Sequence, residues 1–180
     1  MAGMESQIAH VHCRALHTNT DDRGSLIELF RQEWSLTNAP VQWNAVRSEP
    51  GVLRGLHCHW RHTDLLTVIT GELVLGLVDL RPGSPTEGLA ELLRIPALST
   101  AVAVPPGVGH GFYFEQPTCM AYGVSDYWSH DDELGCRWDD AELGIPWPCS
   151  SPALSERDRS AGSLATLRAA IAAALAPTDV

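Results

Sequence analysis

The chain contains no lysine; its twelve basic residues are all arginine. Schiff-base chemistry, lysine acid–base catalysis and lysine charge stabilisation are therefore excluded. Positive charge is scarce overall, and 22 acidic residues leave a net charge of −10. Such a surface repels phosphate, so neither nucleic acid nor an anionic membrane is an expected partner, and any phosphate-bearing ligand must be held by local arginines. Cysteine is sparse and unpatterned: Cys13, Cys58, Cys119, Cys136 and Cys149 form no CxxC pair. With no basic segment leading into an apolar run at the start, this reads as a reduced, cytoplasmic protein. No apolar stretch approaches the roughly 18 residues of a membrane-spanning helix.

The 180 residues, 44% of them hydrophobic, suit one domain over 1–180 with a substantial core. Strand-like runs recur between turn residues: Val41–Val46, Leu65–Ile69, Leu73–Val78, Glu91–Ile95, Thr100–Val104, His110–Phe114 and Cys119–Asp126. Short strands at such spacing predict an all-β antiparallel sandwich or barrel. An N-terminal arm is expected over 1–20. The Ala/Leu-rich tail, with Leu164, Leu167, Ile171 and Leu175 at helical spacing, predicts one C-terminal helix over 162–176 packed on the barrel.

The most informative run is Gly51-Val-Leu-Arg54-Gly-Leu-His57-Cys-His59-Trp-Arg-His62-Thr-Asp64. Residues two apart on a strand face the same way, so His57 and His59 project to one side and Cys58 to the other, as core filler. Asp64 can join the histidines from the next strand, and Pro105-Pro106-Gly107-Val108-Gly109-His110 supplies a tight turn followed by a further imidazole. His57, His59, Asp64 and His110 form a plausible ligand set for Fe, Mn, Ni or Zn. His62, one register off that face, reads as a surface loop residue, as do His10, His12, His17 and His130. Asp131-Asp132-Glu133 reads as a solvated acidic turn, and pairing of Asp64 with Arg61 is the alternative to ligation.

These two segments resemble the motifs of the cupin superfamily, with Asp64 in place of the usual Glu and Phe114 where the second motif often ends in Asn. The resemblance implies a double-stranded β-helix, or jelly roll, with a short C-terminal helix. From Asp22 to Asp158 the chain also resembles the dTDP-4-dehydrorhamnose 3,5-epimerase family, itself of cupin type. The matching pieces run in order: Asp22-Arg23-Gly24 with Glu28 and Phe30, Gln42 with Asn44, Val52-Leu-Arg54-Gly-Leu-His57, Gly71-Glu72, Val78-Asp79-Leu80-Arg81, Pro105-x-Gly107-x-x-His110-Gly111-Phe112, Tyr122, Asp126-Tyr127, Trp138-Asp139, Ile145-x-Trp147-Pro148 and Leu154-Ser155-x-x-Asp158.

That resemblance implies an isomerase acting beside the C4 ketone of a dTDP-4-keto-6-deoxyhexose, without an organic cofactor, in a homodimer. It implies His57 as base, Asp158 as its hydrogen-bonded partner and Tyr122 as proton carrier on the opposite face. Arg23, Glu28, Gln42, Asn44 and Arg54 match nucleotide-binding positions, partly across the dimer interface. The chain departs from the pattern at two places: Asp64 stands where the family has a lysine that helps stabilise the enolate, and His59 where it has a glutamine. The family's epimerases are metal-free, yet both departures introduce metal-ligating side chains. A divalent cation beside Asp64 could replace the lysine's charge. The alternative function is a mononuclear metal cupin, an oxygenase, cyclase or lyase, acting on a non-nucleotide secondary-metabolite substrate. On the metal reading His57 is either ligand or base, not both.

Overall fold

The computed structural model of the protein describes residues 4–175. Strands β1 (His12–Ala15), β2 (Thr18–Asp21), β3 (Gly24–Ile27), β4 (Gln42–Ser48), β5 (Leu53–Cys58), β6 (Asp64–Thr70), β7 (Glu72–Asp79), β8 (Ala90–Pro96), β9 (Thr100–Val104), β10 (Val108–Tyr113), β11 (Thr118–Val124) and β12 (Leu134–Gly135) precede helices α1 (Glu156–Arg159) and α2 (Leu164–Leu175). Two antiparallel sheets result, in the orders β1-β9-β6-β11-β4 and β12-β5-β10-β7-β8, while β2 and β3 form a separate hairpin. Sequence neighbours β6 and β7 lie in different sheets, as do β10 and β11, which is the crossing pattern of a jelly roll.

Period-two patterning explains how the sheets meet. Leu73, Leu75 and Leu77 of β7 alternate inward, where they join Leu66, Val68, Val102, Val104, Phe114 and Met120 in the central core. Each such side chain contributes about 1.5–3 kcal/mol by leaving water. The opposite face of the second sheet is covered too: Leu56, Cys58 and Val78 pack beneath Leu164, Leu167 and Ile171 of α2. Coverage on both faces is why β7 reads as a nearly unbroken apolar run. Gly76 and Gly111 leave room there for the Trp147 ring; a Cβ at Gly111 would sit 3.1 Å from it, and one at Gly76 would overlap it.

The expected N-terminal arm is largely part of the fold. Ile8 and Val11 are buried in the central core, and β1 pairs with β9 from His12↔Ala103 to Ala15↔Thr100; residues 1–3 lie outside the described part. The predicted helix over 162–176 is observed from Leu164 to Leu175, with residue 176 outside the described part. Its first turn is held by Asp140, whose Oδ2 accepts from the Leu164 N–H at 2.8 Å, and by Ser163, whose Oγ accepts from the Thr166 N–H at 3.2 Å. No helix among the described residues is long and apolar enough to cross a membrane.

Candidate active site

A cavity of about 300 Å³ opens between the two sheets. Its walls come from β4 (Asn44, Val46), β5 (Arg54, His57), β10 (His110, Phe112), β11 (Tyr122, Val124), the segment 59–64 and α1 with its N-cap Ser155. Register brings these residues together. His57 on β5 lies opposite His110 on β10, and Asn44 on β4 lies opposite Tyr122 on β11, so both pairs come from neighbouring strands.

His57 Nε2 stands 2.7 Å from Asp158 Oδ1. An ionised carboxylate only accepts, so Nε2 carries the proton and Nδ1 is left as the basic nitrogen. Asp158 is placed by a four-residue helix whose N-cap Ser155 Oγ accepts from the Asp158 N–H at 3.1 Å. Burial alone would raise the Asp158 carboxyl, but hydrogen bonds from His57 and Ser155 outweigh it and hold it below the usual carboxylate range. The pair is thus a base with a charged partner behind it. Across the cavity, burial first and then the Asp64 and Glu133 carboxyls raise the Tyr122 hydroxyl, so it keeps its proton near neutrality and can donate it.

Beside this pair lies a second, deeper group. The Nε2 atoms of His59, His62 and His110 stand 3.8, 3.9 and 3.7 Å from Asp64 Oδ2. All four residues are buried. Ligand atoms within 4.8 Å of one another occur in the sets His59/Asp64/His110 and His59/His62/Asp132. His57, expected among the ligands, belongs to neither set and is turned to Asp158.

His62 overturns its reading as a surface residue: it is only 3% exposed and stacks on His59 with ring centroids 4.2 Å apart. Strand β5 ends at Cys58, so the two-residue period that put His62 off the face no longer applies, and the segment 59–63 turns its ring inward. Asp132 likewise is buried, not solvated. Its carboxylate accepts the backbone N–H groups of Trp60 and Arg61 at 2.8 and 3.1 Å, which fixes this turn. Glu133 reaches the cavity, with Oε1 3.5 Å from His59 Nδ1 and Oε2 paired to Arg157. Burial would raise the Glu133 carboxyl, but His59 and Arg157 bring it below its ordinary value. Arg61 is exposed, and Asp64 faces imidazoles instead.

The nucleotide-binding candidates divide. Asn44 and Arg54 line the cavity, and Arg54 donates from Nε to Ser48 Oγ at 3.0 Å. Gln42 is not on the cavity wall and donates from Nε2 to Asn44 Oδ1 at 3.1 Å. Arg23 and Glu28 are absent from the cavity wall; Arg23 caps the β2–β3 hairpin, paired there with Asp21 at 2.6 Å. Trp60 packs into the α2 cluster and not into the cavity. Missed by sequence reasoning, besides His62 and Glu133, were Phe112, Trp128 and Arg157 on the wall. Of these, Arg157 had a usable signal, one position before Asp158 in a chain where phosphates need arginines.

A jelly roll whose cavity holds a carboxylate-backed histidine facing a protonated tyrosine defines a class, that of cupin-type isomerases. Comparison with known proteins gives the family: residues 5–166 match dTDP-4-dehydrorhamnose 3,5-epimerase, and the chain belongs to that family of isomerases. It is 36% identical over 155 residues to dTDP-4-dehydrorhamnose 3,5-epimerase of Pseudomonas aeruginosa, covering 81% of this chain and 86% of the relative. Identity is also 36% to the enzyme of that name from Neisseria gonorrhoeae over 148 residues, 77% of this chain, although the match spans only 45% of that longer relative. The crystal structure of dTDP-4-dehydrorhamnose 3,5-epimerase from Bacillus anthracis with TDP and pyrophosphate bound superposes with a TM-score of 0.83 at 33% identity, over 91% of this chain and 99% of that one.

Proposed function

We propose that the protein epimerises a dTDP-4-keto-6-deoxyhexose, at C3, C5 or both, by enolisation next to the C4 carbonyl. The observation that carries this reading is the His57–Asp158 pair at 2.7 Å on the wall of the cavity. His57 Nδ1 takes the α-proton, the electron pair of the C–H bond moves into the enolate, and Asp158 stabilises the imidazolium that forms. Tyr122 delivers a proton to carbon from the opposite face, which inverts the centre. Arg54 and Asn44 serve the nucleotide diphosphate, helped by Gln42; a guanidinium is the one cation this lysine-free chain can offer to a phosphate. Arg23 and Glu28 serve the cavity of a second copy of the chain. Support for that pairing is the exposure of Leu26 on the hairpin and of Val41 and Trp43 at β4, an edge strand. Five free cysteines suit a reducing, cytoplasmic setting.

The test is exchange in D₂O. A dTDP-4-keto-6-deoxyhexose incubated with the enzyme should acquire deuterium at C3 or C5. His57→Ala should abolish both exchange and epimerised product, whereas Tyr122→Phe should impair product while leaving some exchange. Bound nucleotide sugar without any exchange in the wild type would overturn the reading.

A further inference from the structure

The group around Asp64 has no part in the proton transfers just described, and its hydrogen bonding is unusual. His59 Nδ1 lies 3.1 Å from the Asp132 carbonyl oxygen, and His110 Nδ1 lies 3.2 Å from the Val108 carbonyl oxygen. His62 Nδ1 lies 3.1 Å from Asp132 Oδ2. Carbonyl oxygens only accept, so in His59 and His110 the Nδ1 carries hydrogen and, in the neutral ring, Nε2 carries a lone pair. Those two Nε2 atoms face Asp64 Oδ2 at 3.8 and 3.7 Å, beyond hydrogen-bond distance. His59, His110 and Asp64 thus bring ligand atoms within 4.8 Å of one another in a buried place, while His62, 3.9 Å from Asp64 Oδ2, stands outside that set.

A positive centre between the three groups would satisfy their lone pairs at once. Ligands at about 2.0–2.1 Å around a tetrahedral ion stand about 3.4 Å from one another, so the 3.8 and 3.7 Å separations of His59 and His110 from Asp64 need an inward shift of about 0.2–0.3 Å per ligand. The Nδ1 hydrogen bonds already fix the tautomer that metal ligation needs. The other candidate set, His59/His62/Asp132, depends on a carboxylate already accepting two backbone N–H groups, so it is the orienting layer and not the binding one.

We propose that His59, His110 and Asp64 form a divalent transition-metal site, suited to Zn²⁺ with a fourth position open, in the wall of the substrate cavity, with His57 and His62 outside it. Base and metal site are then separate residues of one cavity. The role of the site rests on the epimerase reading: where Asp64 alone would oppose a developing enolate, the cation reverses the local charge. Binding of the ion does not rest on that reading and is measured without substrate.

Untagged, chelator-stripped protein is titrated with Zn²⁺ and with Co²⁺, with thermal melting and dTDP binding as fold controls. One ion per chain is expected, and the Co²⁺ adduct should show the intense visible bands of a four-coordinate site. His59→Gln and Asp64→Asn should each weaken Zn²⁺ binding at least tenfold, while His57→Asn should change it less than about threefold. A wild type that stays metal-free under saturating Zn²⁺, or binding lost in His57→Asn and kept in His59→Gln, overturns the assignment. Should the ligand variants fail to fold, X-ray absorption on the wild-type Zn²⁺ form decides: two imidazoles support the site, and any other number overturns it. Absence of D₂O exchange in a protein that holds the ion would remove the epimerase reading and leave the site standing.

Discussion

Asp64 opens β6 and Asp79 closes β7, and the two are 3% and 0% exposed. Asp79 is ringed by donors: Arg81 Nε and Nη2 at 2.7 Å, the Arg81 N–H at 3.1 Å, Ser84 Oγ at 2.5 Å and Thr86 Oγ1 at 2.6 Å. Burial would raise that carboxyl, but these bonds outweigh it and hold it well below the usual range. Asp64 is ringed by imidazole lone pairs, and burial, with Glu133 and Asp132 nearby, pushes it up to about 8. Donors around a buried charge hold a loop in place and, through Arg81 Nη2 to the Ala9 carbonyl at 2.7 Å, the N-terminal segment with it. A carboxyl faced by imidazoles gains no such hold from its charge, and it marks the working end of the barrel.

Exchanging the fates of these two carboxylates is the sharpest test of that difference. Asp79→Ala strips Arg81 of its buried partner and should cost about 3–5 kcal/mol, a fall of about 6–20 °C in Tm by calorimetry. Nucleotide binding by the folded fraction should be unchanged, because Asp79 lies off the cavity wall. A melt within about 2 °C of wild type would break the comparison at its structural end.

Asp158→Asn keeps the shape of the His57 pair and removes its charge, so the rate of deuterium exchange should fall about 10²–10⁴-fold with little change in Tm. Parallel loss of exchange and folding would instead place Asp158 with Asp79, as a structural carboxylate.

Asp64→Asn in chelator-stripped protein should move stability by less than about 1 kcal/mol, since no donor loses a partner and a carboxyl pushed up to about 8 gives up little charge at neutral pH. A loss comparable to that of Asp79→Ala would mean that Asp64 has structural partners after all.

The smallest effect is a pH dependence. Because the folded Asp79 carboxyl lies below its unfolded value near 3.8, its contribution is fully present above about pH 4 and fades as pH falls further. Denaturant melts of wild type and Asp79→Ala should therefore differ by less at pH 3 than at pH 7, and a constant gap would detach the stabilisation from ionisation.

Much of the site was legible in the chain because strands keep register. His57, His59 and His110 were placed on inward faces by alternation and turn chemistry alone, and all three line one cavity. Seven strand runs read from the sequence overlap β4 and β6–β11, with ends shifted by a few residues at most. The short strands β1–β3 and β12 escaped: they span two to four residues, too few for a period to show, and Asp21-Asp22-Arg23-Gly24 proves to be the turn of a hairpin. His62, Asp132 and Glu133 escaped for another reason, since they sit on irregular segments where no period says which way a side chain points.

The sequence by itself determined the chemistry on offer: a lysine-free, acid-rich chain with an all-β apolar rhythm, a histidine at the end of one strand and a carboxylate at the start of the next. Only the tertiary structure decided how those groups are shared. Asp158 lies 101 residues from His57, yet the two side chains meet at 2.7 Å, while the turn at 59–63 carries His62 to within 3.9 Å of Asp64. Hydrogen-bond direction and ligand distance act over a few ångströms of space, and a chain folded across two sheets brings those distances about without leaving them in its spacing.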